Sequence, residues 1–396
     1  MPSVTPTQSP NASRRLLIGG GALAAVGLAG GAYWFWPEGA STIRIGVGQP
    51  LSGALAALGK DMLQGAQLAA EVLNKAGGVR VGSNKLPIEI VSADDQADAK
   101  AGEAAAQKLV DAGVLAAIAH LNSGVSIAAA PIYAKAGVVQ LAISTKPQYT
   151  QLGLPTTLRL VANDDMQALA LAQFATDTVG AKRVATLHDG TPYGQGLIGG
   201  VANSLLRGKA TGVVAQLAVD DKTTEFAEVV KALLQAKPEL LITTVADFQV
   251  EALIKQLNAA GLPELAILGS DTLKTPLLQK LDLGTRALYA STPIVAAGEF
   301  LGGKDFLGVF QARFGGEPYY AAHYAYDAVH LVADALSRNA SLDRKRLLER
   351  LKTFEGNAPV TSMMRMNEEG EQRSGAVGIY RMRKGQWELT VRSGRW

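Results

Sequence analysis

The 396-residue chain contains no cysteine and only four histidines. The first absence excludes disulfides, thiolate metal sites, a cysteine nucleophile and a lipid-bearing cysteine behind an export signal. No H-E-x-x-H pair and no G-x-S-x-G elbow occurs, so the sequence signatures of zinc and serine hydrolases are missing. Aromatics make up 6% of residues and charged residues 18%. Of the formal charge of +3, Arg14, Arg15 and Glu38 account for +1. A balance so near neutrality gives no polyanion-binding signal, and no nucleic-acid partner is expected. No low-complexity stretch or long linker interrupts residues 42–396.

What the chain has in quantity is apolar residues, at 48%, and 43 glycines. That combination excludes a disordered chain and suits Ala-rich helices packed closely on strands with many turns. The length exceeds what one hydrophobic core usually serves, so two lobes are expected. At the N-terminus, Ser13-Arg14-Arg15-Leu16-Leu17 leads into an apolar run that continues to Trp36 before Pro37-Glu38-Gly39 restores polarity. Paired cations hold such a leader on the cytoplasmic face while the apolar stretch inserts, and the pattern reads as a twin-arginine export signal. The run is long enough to span a bilayer. Ala40 offers a small residue for cleavage, but Glu38 is a poor partner two positions before it. Residues 1–40 are therefore read as a signal that is either removed or kept as an anchor over residues 16–36. Both readings place the body outside the cytoplasm.

From Thr42 the chain alternates short β-branched runs with amphipathic, Ala-rich stretches, the pattern of a parallel sheet covered by helices. Strands are predicted at Thr42 to Val47, Ile88 to Val91, Leu115 to Ala119 and Val138 to Leu141, separated by helices. A second set restarts with a helix over Met166 to Val179 and a strand at Arg183 to Leu187. Two similar βα sets predict two similar doubly wound lobes. After Arg286 a strand from Ala287 to Thr292 leads to three consecutive helices, and Lys384-Gly385 marks the turn of a hairpin between Ala376 and Val391.

In open α/β sheets, ligands sit beyond the carboxyl ends of the strands. The loops this rule nominates are rich in hydroxyls and poor in fixed charge. Ser123-Gly124 precedes a helix whose free backbone N–H groups suit a carboxylate, and Ser144 and Thr145 lie one strand away. Asp271, in the second half, could pair an ammonium group. Taken singly, Ser123 and Asp271 read as a helix cap and a turn former. Their convergence on one crevice is what points to a zwitterionic ligand.

Several of these segments together resemble the Leu/Ile/Val-binding type of periplasmic binding protein. They are Ile43-Arg44-Ile45-Gly46-Val47 with Pro50-Leu51-Ser52-Gly53, Asn74-Lys75-Ala76-Gly77-Gly78-Val79, Asp94-Asp95, His120-Leu121-Asn122-Ser123, Pro131-Ile132-Tyr133, and His188-Asp189 with Tyr193-Gly194-Gln195-Gly196. The resemblance spans residues 42–396. It implies a type I periplasmic binding fold with a three-crossover hinge, lobe one being residues 42–162 with 292–355 and lobe two residues 163–291 with 356–396. It further implies a non-catalytic receptor of an ATP-driven (ABC) importer, with permease subunits in the membrane as partners and no cofactor. Ser123 then corresponds to the serine that receives a ligand carboxylate. Ser144 and Thr145 lie beside the carboxylate and ammonium, Tyr193 matches a tyrosine of the far lobe, and Asp271 replaces the usual glutamate that meets the ammonium. Leu58 and Ala246 stand where aromatics often line the side-chain pocket, so a wider or differently shaped pocket is implied, and the resemblance gives the ligand as an amino acid, an amide or a small organic acid without specifying leucine.

Two other functions compete. Gly194-x-Gly196-x-x-Gly199, with Asp220 and Asp221 downstream, matches the dinucleotide fingerprint of an NAD(P)-dependent oxidoreductase. Its context is faulty, because His188 to Tyr193 intervene between the strand and the first glycine. A sensor that closes on its ligand and then binds a regulator would share fold and sequence pattern with the receptor. His323, His330 and Asp327 could share a helix face compatible with a metal, but satisfied core or helix surface is the commoner use and no metal is expected. His120 and His188, at strand ends, are expected to order crevice loops. No homo-oligomer is indicated.

Overall fold

A computed structural model describes residues 42–275 and 277–393. The expected signal or anchor, residues 1–40, lies outside the described residues. Among the described residues no helix is long and apolar enough to cross a membrane.

The first lobe is built on five parallel strands: β1 (Ile43–Gln49), β2 (Ile88–Asp94), β3 (Ala116–Ala119), β4 (Val139–Ala142) and β5 (Thr157–Arg159). Their order across the sheet is β2-β1-β3-β4-β5. The helices α1 (Ala56–Lys75), α2 (Ala99–Asp111) and α3 (Ser123–Lys135) connect them. After α4 (Asp164–Gln173) the scheme repeats with β6 (Arg183–His188), α5 (Pro192–Gly208), β7 (Gly212–Ala218), α6 (Ala227–Ala236), β8 (Leu240–Thr243), α7 (Asp247–Ala259), β9 (Ala266–Gly269) and β10 (Leu288–Thr292). There follow α8 (Gly303–Phe314), α9 (Ala322–Asn339), α10 (Arg344–Lys352) and the antiparallel hairpin of β11 (Val377–Arg383) and β12 (Gln386–Ser393). The second sheet runs β12-β11-β10-β9-β8-β6-β7. Its parallel part repeats the strand order of the first lobe, in which the sequence of strands reverses beside the first strand of each unit.

Both parallel sheets are covered on two faces, and alternate residues serve opposite layers. In the second lobe Ala185, Leu187, Leu241 and Ile267 join α6 and α7 in one core, whereas Val184, Leu240, Ile242 and Leu268 join α5 in another. In the first lobe Ile43, Ile45 and Val47 face α1 and α9, while Ala117 and Ala119 face α2 and α3. Helices α8 to α10 thus belong to the first core although they follow the second sheet in the chain. Ala358, Val360, Met364 and Met366 pack into that core as well, beyond residue 355 where the return to lobe two was expected. The reason is a small hairpin, Glu355–Ala358 with Ser362–Arg365, that lays its apolar side on α9.

Asp61 ties α1 to α9. Its carboxylate accepts the backbone N–H groups of Tyr319, Tyr320, Ala321 and Ala322 at 2.5, 3.1, 2.8 and 2.7 Å, so one helix supplies the N-terminal cap of another. Helix packing there is close enough that a Cβ on Gly65 would meet the Ala322 carbonyl. Asp61→Ala leaves four donors without their acceptor and is expected to cost about 3 kcal/mol. Chemical denaturation measures this, and a midpoint equal to that of the parent would contradict the capping role.

Candidate functional site

Helix α3 starts at Ser123 itself, two residues earlier than the sequence pattern placed it. Its N-cap, Asn122, makes no side-chain cap bond, and the Asn122 Oδ1 is buried without a partner among the described residues. The helix therefore presents N–H groups and partial positive charge to the crevice without satisfying them internally. The Ser123 hydroxyl accepts the backbone N–H of Lys146 at 3.3 Å, which joins this helix start to the loop after β4. In that loop the Ser144 hydroxyl is buried with no hydrogen-bond partner among the described residues, and Thr145 bonds to the side chain of Asp164. Ser123, Ser144 and Thr145 thus come together at one end of the first sheet.

The loop is held from behind. Arg159, fully buried at the end of β5, donates to the Ser144 carbonyl and to the Lys146 carbonyl at 2.8 Å, and pairs with Glu371 at 2.9 Å. Glu371 also accepts the Thr150 hydroxyl at 2.5 Å. The neighbouring loops are ordered in the same manner. Asp94 accepts the N–H of Leu51 at 2.8 Å, and buried Asp95 accepts the His120 Nδ1–H at 2.7 Å. His188 Nδ1 accepts the Gly190 N–H at 3.0 Å. Both strand-end histidines order crevice loops, as expected.

On the second lobe, the Tyr193 hydroxyl donates to the exposed carboxylate of Asp271, and Gln167 Nε2 donates to it at 3.4 Å. Gln167 also donates to Ser291 at 2.9 Å, and its own side-chain carbonyl oxygen is buried without a partner among the described residues. Burial and the Asp271 charge both hold the Tyr193 hydroxyl well above its ordinary pKa, so it stays protonated and remains a donor.

Asp164 was not singled out in the sequence. It opens α4, on the first passage from lobe to lobe, with Asn163 as the N-cap accepting the Met166 N–H at 2.9 Å. Burial pushes its carboxyl up to about 6 against the hydrogen bond from Thr145, and the charge of Asp271 pushes the same way. Because Asp164 bonds to Thr145 of the first lobe and acts electrostatically on Tyr193 and Asp271 of the second, it links the two halves of the candidate site. Its only sequence signal was the Asn-Asp-Asp start of a helix, which reads as capping.

Beside Asp271 opens a cleft of about 840 Å³ bordered by Leu58, Lys274, Tyr319, Tyr320, His323 and Tyr380, among others. Of the five residues selected from sequence only Asp271 borders it. Leu58 borders it as the pocket-wall expectation required, and Ala246 does not. The remaining candidates have structural uses. Asp327 accepts the N–H groups of Val360 and Thr361 at 2.9 and 2.7 Å. His323 Nε2–H donates to the Val295 carbonyl at 3.0 Å, and burial pushes His323 down to about 3 and His330 down to about 4. Among the described residues no group of three or more acids and histidines could hold a metal. In the dinucleotide-like run, Gly196 and Gly199 face open space, so the third glycine makes none of the close helix–strand packing that the fingerprint needs.

A profile of the family described as "Periplasmic binding protein" matches residues 42–386. A Leu/Ile/Val-binding protein homolog 1 of Brucella abortus is 29% identical over 377 residues, covering 94% of this chain and 97% of the relative. An amino acid binding protein of Pseudomonas aeruginosa is 36% identical over 157 residues, 39% of this chain and 41% of its own. Among solved structures, the leucine binding protein of Thermotoga maritima superimposes with a TM-score of 0.71 at 24% identity, covering 89% of this chain and 99% of that one. A Rhodopseudomonas palustris solute binding protein, solved with 3,4-dihydroxybenzoic acid, gives 0.70 at 21% identity over 89% and 97%. The latter two similarities concern the fold.

Proposed function

The chain belongs to the periplasmic binding protein family, and from that premise we propose that it is the extracytoplasmic receptor of an ABC importer, closing its two lobes on an amino acid or a related small polar solute. The observation that carries this reading is the pairing of unlike ends across the crevice. The open N-terminus of α3 and the Ser144 hydroxyl, without a partner among the described residues, would serve as an anion site, and Asp164, which interacts with both Thr145 and Asp271, would serve with Asp271 as a cation site. A zwitterion satisfies both, and closure removes water from each charged contact. Ser123, Ser144 and Thr145 receive the carboxylate side, while Tyr193 orients Asp271 toward the ammonium. The Brucella relatives bear names of the same kind. The finer parts of the proposal are export by the twin-arginine route through residues 1–40, delivery to permease subunits in the membrane, and action as a monomer.

The binding mode makes affinity depend on pH. In the empty protein the Asp164 carboxyl, raised from 3.8 to about 6, holds its proton more tightly than in the unfolded chain. Its ionisation therefore lowers the stability of the empty protein as pH rises from about 4 to about 6. A bound ammonium offsets that loss only when Asp164 is charged. The stabilisation by an amino acid ligand is expected to be several-fold weaker in affinity terms at pH 5 than at pH 7. Thermal denaturation with and without ligand reads this difference, and Asp164→Asn should flatten it. An unchanged profile in Asp164→Asn would remove Asp164 from the site.

A further inference from the structure

Lys274 follows the short turn Asp271–Leu273 and borders the same cleft as Asp271. Its Nζ lies 4.5 Å from the centre of the Tyr380 ring. Among the described residues its ammonium takes part in no hydrogen bond and has no acid within ion-pair distance, while its backbone N–H donates to the Asp271 carbonyl at 3.3 Å. The other basic side chain bordering the cleft, His323, is neutral because burial disfavours its charged form. The acids of the cleft do not serve Lys274. Asp271 accepts Tyr193 and Gln167 on Oδ1 and forms no ion pair with Lys274, and Glu299 and Glu317 are exposed to water at the rim. Of these, Glu299 acts on the ammonium electrostatically, while burial pulls its pKa down from 10.5.

A partly buried ammonium with three N–H donors is poorly compensated by one aromatic face. Its desolvation is offset when an anion supplies acceptors. We propose that Lys274 is a second charged anchor of this cleft and selects solutes that carry an anionic group at the end remote from their ammonium. The inference rests on the receptor reading above and gives the solute a class: an amino dicarboxylate or a similar amino acid with an acidic side chain. The tyrosines at 319, 320 and 380 would enclose the aliphatic part between the two charged ends, and Leu58 leaves room for its length.

Calorimetric titration of the full chain with glutamate, 2-aminoadipate, glutamine and leucine tests this. At least one of the two diacids is expected to bind about ten-fold or more tightly than glutamine, as one charge-assisted contact allows. In Lys274→Met the ratio of glutamine to diacid affinity should collapse to about one, and in Lys274→Arg the preference should persist. A structural role would alter every ligand alike and leave the ratio unchanged, which would overturn the assignment. Collapse of the ratio in Glu299→Gln as well would also overturn it, since Lys274 would then act through Glu299. Equal binding of all four probes, lost in Ser123→Ala, would keep the receptor and remove only the role of Lys274. Binding of none of the four would overturn the role of Lys274, and the receptor reading would then stand or fall on other amino acids and small polar solutes.

Discussion

Asp271→Ala is expected to weaken binding of an amino acid by roughly 30-fold to 1,000-fold, corresponding to about 2–4 kcal/mol for truncating one partner of a hydrogen-bonded charge pair enclosed on closure. The size of the effect follows from what surrounds Asp271. Tyr193 and Gln167 both donate to its carboxylate, fixing its direction in the open crevice, so little ordering remains to be done when the ligand arrives. Removing the carboxylate leaves the ammonium facing a tyrosine hydroxyl and an amide, neither of which carries countercharge. It also leaves Asp164 alone to meet the ammonium. The melting temperature of the empty protein should change little, because Asp271 is exposed and supports no core element. Titration calorimetry separates the two outcomes. Parent affinity in Asp271→Ala would place the ammonium elsewhere, and a large loss of stability would show that the residue holds the lobe together.

Arg159→Ala is expected to destabilise the protein by about 3–5 kcal/mol, the usual consequence of leaving one member of a buried ion pair without the other. Arg159 has no exposed surface and Glu371 retains 8%. Without the guanidinium, Glu371 keeps the Thr150 hydroxyl but loses its countercharge, and the Ser144 and Lys146 carbonyls lose their donor. The same loop carries the Ser144 and Thr145 hydroxyls and the N–H that Ser123 accepts. Weaker ligand binding should therefore accompany the lower denaturation midpoint, though Arg159 reaches no ligand. Glu371→Gln added to Arg159→Ala should recover part of the stability and little of the binding. A single mutant within about 1 kcal/mol of the parent would contradict the account.

Much of the fold was legible because each element repeats its pattern over enough residues. The strands at 43–49, 88–94, 183–188 and 240–243 carry short β-branched and apolar runs, as suits strands covered on both faces, and the long helices α1, α5 and α9 carry helical apolar spacing. The Lys384-Gly385 turn was legible from its chemistry, and both residues adopt the positive φ it requires, 49° and 76°. The small hairpins at 79–86 and 355–365 were not, since Asn84–Leu86 and Glu355–Ala358 are short and carry few β-branched residues. Strand β5 ends in Arg159, whose burial depends on Glu371, 212 positions away, and no local pattern reports such a partner. The helix expected over 166–179 instead ends at Gln173 and continues as a wider turn over Phe174–Thr178.

The candidate site divides along the same line. Ser123, Ser144 and Thr145 follow successive strands of one sheet, so the crevice rule could group them from sequence. Tyr193 and Asp271 follow strands of the second sheet, and their hydrogen bond satisfies the same rule. Asp164 sits where the chain passes between lobes, and Lys274 lies beyond a short turn. Their relevance depends on how the lobes face each other, which residue spacing does not encode.

In the proposed binding mode the crevice recognises a zwitterion by both of its ends. Thermal denaturation of the full chain with a panel of amino acids, their α-amides and their deaminated acids tests it directly, because a ligand that binds the folded state raises the melting temperature. The account predicts that at least one amino acid stabilises the protein while its amide and its deaminated acid do not. Equal stabilisation by the deaminated acid, or stabilisation by a nicotinamide dinucleotide and by no amino acid, would contradict it.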